Sequence, residues 1–149
     1  MAKESTKSIV ETMDEFFKKA PAIPANGREA IVKITPWIAL IFGVLGVLGA
    51  VGGLGLLTVL SPLAVFGGVQ GVSSYGAGFI AALIWLVASV FLLAAYPGTK
   101  AKKLSGWNML FWSQVIHLVG SLVVLSIVSG LIGALIGFYL LFQIKSYYK

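Results

Sequence analysis

The chain has one histidine, His117, and no cysteine. Gln114 precedes His117 by three residues and Ser121 follows it by four. On an α-helix that spacing places all three on one face. An imidazole, an amide and a hydroxyl in one stripe can titrate a proton, bind a ligand or hydrogen-bond a neighbouring helix. In an apolar helix such groups are costly, so Gln114, His117 and Ser121 form the candidate polar site. The simpler alternative makes His117 a neutral imidazole bonded to a neighbouring helix, with Gln114 and Ser121 as interhelical glue.

Other chemistries lack their parts. All five acids, Glu4, Glu11, Asp14, Glu15 and Glu29, precede residue 30. A Ser-His-Asp triad therefore has no acid to orient His117. Neither paired carboxylates nor the buried acid of a proton-coupled exchanger is available beyond that point. One histidine without cysteine cannot build a zinc site. The glycine runs lack the strand–loop–helix setting and the Lys-Ser/Thr of a phosphate cradle. No catalytic residue, metal or cofactor is expected, and the chain reads as a non-enzyme.

The elements that must carry the polar stripe follow from composition. Hydrophobic residues make up 58% and charged residues 11%, and the mean hydropathy is +0.97. A soluble domain carries about 25% charged residues. Residues 34–99 and 104–144 contain no Asp, Glu, Lys or Arg. This excludes an ordinary soluble domain and a disordered chain. The expected class is all-α: an integral membrane bundle of four helices, arranged as two transmembrane hairpins.

The spans read as about 37–60, 77–96, 107–125 and 128–144. The apolar run from 107 to 144 would reach about 57 Å as one helix, against a hydrocarbon core of about 30 Å. It therefore reads as a hairpin turning near 126–130, where serines and a glycine collect. Residues 61–76, with Pro62 and several glycines and serines, read as a loop lying along the membrane surface. A short half-helix at 62–66 and a re-entrant path are the alternatives weighed there.

Glycines crowd the first span. Gly49 and Gly53 form a GxxxG pair, and Gly43 and Gly46 extend a surface of small residues. Gly133 and Gly137 repeat the spacing in the last span. Small residues let helix backbones approach closely in lipid, so these positions are expected to pack helices within the chain or between subunits.

Residues 1–35 form an N-terminal arm and linker ahead of the transmembrane domain, 36–149. Ile9, Val10, Met13, Phe16, Phe17 and Ala20 recur at helical spacing, opposite Glu11, Asp14, Glu15, Lys18 and Lys19. That pattern predicts an amphipathic helix. Ser8 with Glu11, or Ser5, is the expected cap, and Pro21 and Pro24 stop the helix. The first apolar run begins only after Pro36, so the first span reads as an uncleaved signal anchor.

The net charge of +6 comes from three basic groups: Lys3 to Lys33, Lys100 to Lys103, and Lys145 with Lys149. Lys and Arg accumulate on cytoplasmic loops, so this balance is not read as nucleic-acid binding. Four spans with both termini cytoplasmic place every Lys and Arg on the cytoplasmic side of a cell (inner) membrane. Trp37, Tyr96, Trp107, Tyr147 and Tyr148 fall where an aromatic belt would lie. The expected function is interaction: a homo-oligomer or an accessory subunit, with the bilayer and a protein partner or a second copy as partners. The alternative is a small transporter or channel with a polar path along the third span.

Overall fold

The computed structural model describes residues 2–149; the side chains of Ala2, Lys3 and Thr6 fall outside the described set, and with them Lys3's place in the first basic group. All regular structure among the described residues is helical. The helices are α1 (Ala2–Lys18), α2 (Ala25–Ala64), α3 (Gly68–Lys100), α4 (Leu104–Val123) and α5 (Ile127–Ile144). Short 3-10 turns, Val65–Gly67 and Lys145–Tyr147, follow α2 and α5. Helix α2 packs on α3, α3 on α4 and α4 on α5.

Two helical stretches are long and apolar enough to cross a membrane: Ala25–Lys100, which comprises α2, its turn and α3, and Ile127–Tyr147. Helix α4, carrying Asn108, Gln114 and His117, does not meet that measure. By rise per residue, α2 is about 60 Å long and α3 about 50 Å, whereas α4 is about 30 Å and α5 about 27 Å. The first hairpin is thus the longer of the two. Its tip is apolar and bare: Phe66 is 88% and Val69 89% exposed.

The expected loop over 61–76 is helical instead. Helix α2 runs through Pro62, one 3-10 turn reverses the chain, and Gly68 starts α3 at φ +62°. Pro36 and Pro97 likewise sit inside helices. Each proline removes one backbone donor, but the surrounding ladder holds the helix. Helix α1 begins at Ala2, so Ser5 and Ser8 lie within it and do not cap it.

The other two reversals close with the same arrangement. At the end of α3, Lys103 N donates to Gly98 O and Lys102 N to Thr99 O, with Lys102 at φ +53°. At the end of α4, Ser126 N donates to Ser121 O and Leu125 N to Leu122 O, with Leu125 at φ +58°. Both are Schellman closures that satisfy the last helical carbonyls. The second turn thus sits at 124–126, at the near edge of its expected place.

The core lies at one end. Trp107 is fully buried, stacked on Phe111 at 5.6 Å, with its indole N–H donated to Leu141 O at 2.8 Å. Phe17 of α1 stacks on Phe142 at 5.4 Å and 11°. Val32, Phe138, Ile144 and Tyr148 complete this cluster. Trp107 and Tyr148 are therefore core residues, not the belt residues their chain positions suggested. Trp37 does stay exposed, in ring contact with Tyr96 at 6.1 Å.

The basic groups meet at this same end. Asp14 bridges Lys18 at 3.0 Å and Lys145 at 3.4 Å. The C-terminal residue pairs with the α3–α4 turn, Leu104 N donating to Lys149 O and Lys149 N to Lys102 O. The linker after α1 is pinned as well: Tyr139 Oη donates to Pro21 O at 2.6 Å, and Ile23 N donates to Gln143 Oε1 at 3.2 Å.

Candidate functional site

Away from the aromatic core the helices part around a cavity of about 700 Å³. All four long helices line it. Gly49 and Gly53 come from α2, Gly78, Ala82 and Trp85 from α3, and Ser129, Gly130 and Gly133 from α5. Helix α4 contributes Gln114, His117 and Ser121 together. The stripe read from helical spacing therefore does converge on one space.

The three side chains do different things there. Gln114 Nε2 donates to Gly133 O at 3.3 Å across the α4–α5 contact. Its amide also lies over Gly137, where a Cβ would meet it at 2.7 Å. Ser121 Oγ donates to Leu118 O at 2.7 Å within its own helix and lies against Gly130. Both residues thus serve packing. His117 differs: its ring meets Trp85 edge to face at 5.7 Å, and no described residue gives its imidazole a hydrogen bond. Both ring nitrogens remain free for a ligand or water.

The glycines divide in two. Gly43 lies under Leu93 and Gly46 under Ser89, where α2 crosses α3. Gly49 and Gly53 line the cavity, and a Cβ on either meets nothing within 4 Å. Gly133 also has open space at its Cβ position, while Gly137 sits beneath Gln114. Small residues on three sides create the volume, because no side chain crosses it.

Four positions carry structure that the polar stripe did not signal. Ser113 Oγ donates to Ala88 O at 2.9 Å, a buried bond from α4 to α3. Trp85, set in mid-helix, becomes the aromatic wall of the cavity. Gly98 and Gly106 bring α3 and α4 into backbone contact. The described residues hold no group of three His, Cys, Asp or Glu side chains able to bind a metal.

The arrangement can accept a small, mainly apolar molecule and offer it one hydrogen-bonding imidazole. The Ser121 and Ser129 hydroxyls there donate to backbone carbonyls, of Leu118 and Ser126. Comparison with known protein families, with curated proteins and with solved structures finds no match for this chain.

Proposed function

We propose that the protein crosses a cell membrane four times as two hairpins and binds a small, mainly apolar molecule beside His117, as a transporter without enzymatic activity. The observation that carries this reading is the unbonded imidazole facing a cavity of about 700 Å³. Ligand sites in proteins fall at about 300–1,000 Å³, mostly apolar with a few polar groups. His117 is the one ionisable side chain in the uncharged run 104–144 apart from tyrosine at 139, and such residues tend to mark pathways.

The membrane placement rests on the outer surface. Phe42, Leu48 and Val59 are 61%, 64% and 75% exposed, and large apolar side chains cover α2, α3 and α5 in the same way. Water-soluble monomers rarely expose apolar patches beyond a few hundred Å². The meeting of the basic groups at one end supports a cytoplasmic assignment for both termini and the 101–103 turn.

The test is native mass spectrometry of the protein extracted in mild detergent. Gly53→Leu puts a side chain into the cavity from a position where a Cβ meets nothing within 4 Å. The wild type should retain a small molecule that this variant loses. Identical spectra from the two proteins would sink the reading.

A second reading, self-association or docking on a membrane partner, is favoured by one observation. Gly52 and Gly55 meet nothing within 4 Å of a Cβ, although small residues in such helices commonly face another helix. Gly52→Ile should then dissociate an oligomer seen by sedimentation in detergent. A monomeric wild type excludes a second copy as the occupant.

A further inference from the structure

We propose that the junction between the N-terminal arm and α5 is a binding site for a phosphate group, carried by an anionic phospholipid headgroup or by a free phosphorylated molecule. A second cavity, of about 460 Å³, lies there, far from His117 in the chain and at the basic end of the fold. Lys18 of α1, Arg28 of α2 and Lys145 after α5 line it, with Asp14 the one acid among them.

Asp14 is engaged by both lysines, at 3.0 Å from Lys18 and 3.4 Å from Lys145. It holds the two ammonium groups at the cavity without neutralising the site. Arg28 forms no ion pair with any described residue, and its Nε is shut off from water with no hydrogen-bond partner. The hydroxyl of Tyr148, a residue only 5% exposed that also lines this cavity, lies beside the Thr35 hydroxyl. A buried donor without a partner, as at Arg28 Nε, is unusual, because leaving such a group unpaired costs about 1–3 kcal/mol. An anion in the cavity brings several acceptor oxygens to the guanidinium, which has no ion-pair partner among the described residues.

Charge and shape choose the anion. Three cations against one carboxylate leave a surplus of two positive charges, enough for the single charge of a phosphodiester headgroup and for the roughly −1.5 to −2 of a phosphate monoester at neutral pH. A guanidinium presents a planar fork suited to phosphate oxygens. The cavity is larger than a phosphate needs, and Phe142 and Leu104 give it an apolar side that a glycerol backbone or acyl stem can cover. The lipid source rests on the membrane reading above; the phosphate chemistry does not.

The experiment uses the full chain in zwitterionic detergent. Two probe sets are compared: mixed micelles containing phosphatidylglycerol or phosphatidylcholine, and inorganic phosphate against chloride at matched ionic strength. Lipid retention is read by native mass spectrometry and phosphate binding by thermal shift. Arg28→Gln should weaken the preferred probe about tenfold, the loss of one charge-assisted contact. Arg28→Lys should restore part of it, and Lys100→Gln, outside the cavity, should change nothing.

Preference for phosphatidylglycerol that Arg28→Gln abolishes supports the site with a lipid source. A stabilising shift from inorganic phosphate, lost in the same variant, supports it with a soluble source. If neither probe separates wild type from Arg28→Gln, Arg28→Lys and Lys18→Gln, all folded by circular dichroism, the proposal is overturned. Release of the protein from membranes by alkaline carbonate would instead sink the membrane reading and leave the inorganic-phosphate arm standing.

Discussion

Gly106 lies backbone to backbone against Gly98, so that a Cβ on Gly98 would stop 2.6 Å from the Gly106 Cα. The opposing atoms are main chain, held by the α3 Schellman closure and the first turn of α4, and cannot swing aside. Gly98→Ala and Gly106→Ala should therefore each destabilise the fold by at least the 1–3 kcal/mol, roughly, of an overpacked core. Gly55→Ala, where nothing lies within 4 Å, should be neutral or stabilising by up to about 1 kcal/mol, from helix propensity alone. Thermal unfolding in detergent compares the three. Equal losses at Gly55 and Gly106 would contradict the close approach.

Lys102 and Leu125 each hold the left-handed position of a helix closure, at φ +53° and +58°. A side chain there costs about 1–2 kcal/mol relative to glycine. Glycine loses some of that advantage to its freer unfolded chain, about 0.4–1 kcal/mol. Lys102→Gly and Leu125→Gly should each raise stability by up to about 1 kcal/mol. Lys102→Val and Leu125→Val should lower it, since a β-branched side chain tolerates positive φ poorly. Melting temperatures of the four variants check both signs.

Why sequence reading reached some of this and missed the rest is visible at particular residues. The shared face of Gln114, His117 and Ser121 follows from a period of 3.6 residues. What that face meets depends on the absent side chains at Gly49 and Gly53, and local spacing cannot report a void between distant segments. The signals at Pro62, Gly67 and Gly71 are those of a loop in water. In an apolar setting the backbone must satisfy its own hydrogen bonds, so the helices absorb Pro62 and leave one short turn. The position of Trp107 at the edge of an apolar run points to a membrane boundary. Its rotational position on α4 turns the indole inward to Leu141 O, and the run's edge carries no information about that.

The arm offers a case where magnitudes decide. Phe17 is buried against Phe142, while Asp14 pairs with lysines that remain partly exposed. Truncating a buried phenylalanine costs about 3–5 kcal/mol, and a partly exposed ion pair contributes about 0–1 kcal/mol. Phe17→Ala should release α1 and speed tryptic cleavage at Lys18 and Lys19 far more than Asp14→Ala does. Limited proteolysis followed by mass spectrometry reads this directly. Comparable cleavage in both variants would show that the ring stack does not dominate the docking of the arm.

Tyr148 ties the C-terminal tail into the same end of the fold and makes it sensitive to alkali. Burial pushes its phenol above the ordinary pKa of 10.0, and the neighbouring Thr35 hydroxyl opposes that shift. The folded chain therefore holds this proton more tightly than the unfolded chain. The corresponding stabilisation is complete below the unfolded pKa and is lost as pH rises through the folded one. Lysines titrate in the same window, at about 10.4, so the wild-type loss alone is ambiguous. Tyr148→Phe keeps the ring and removes the titration. Between about pH 9 and about pH 11 the wild-type melting temperature should fall more steeply than that of Tyr148→Phe. Parallel curves would show that the phenol is no less ionisable in the fold than in the unfolded chain and would overturn the upward shift.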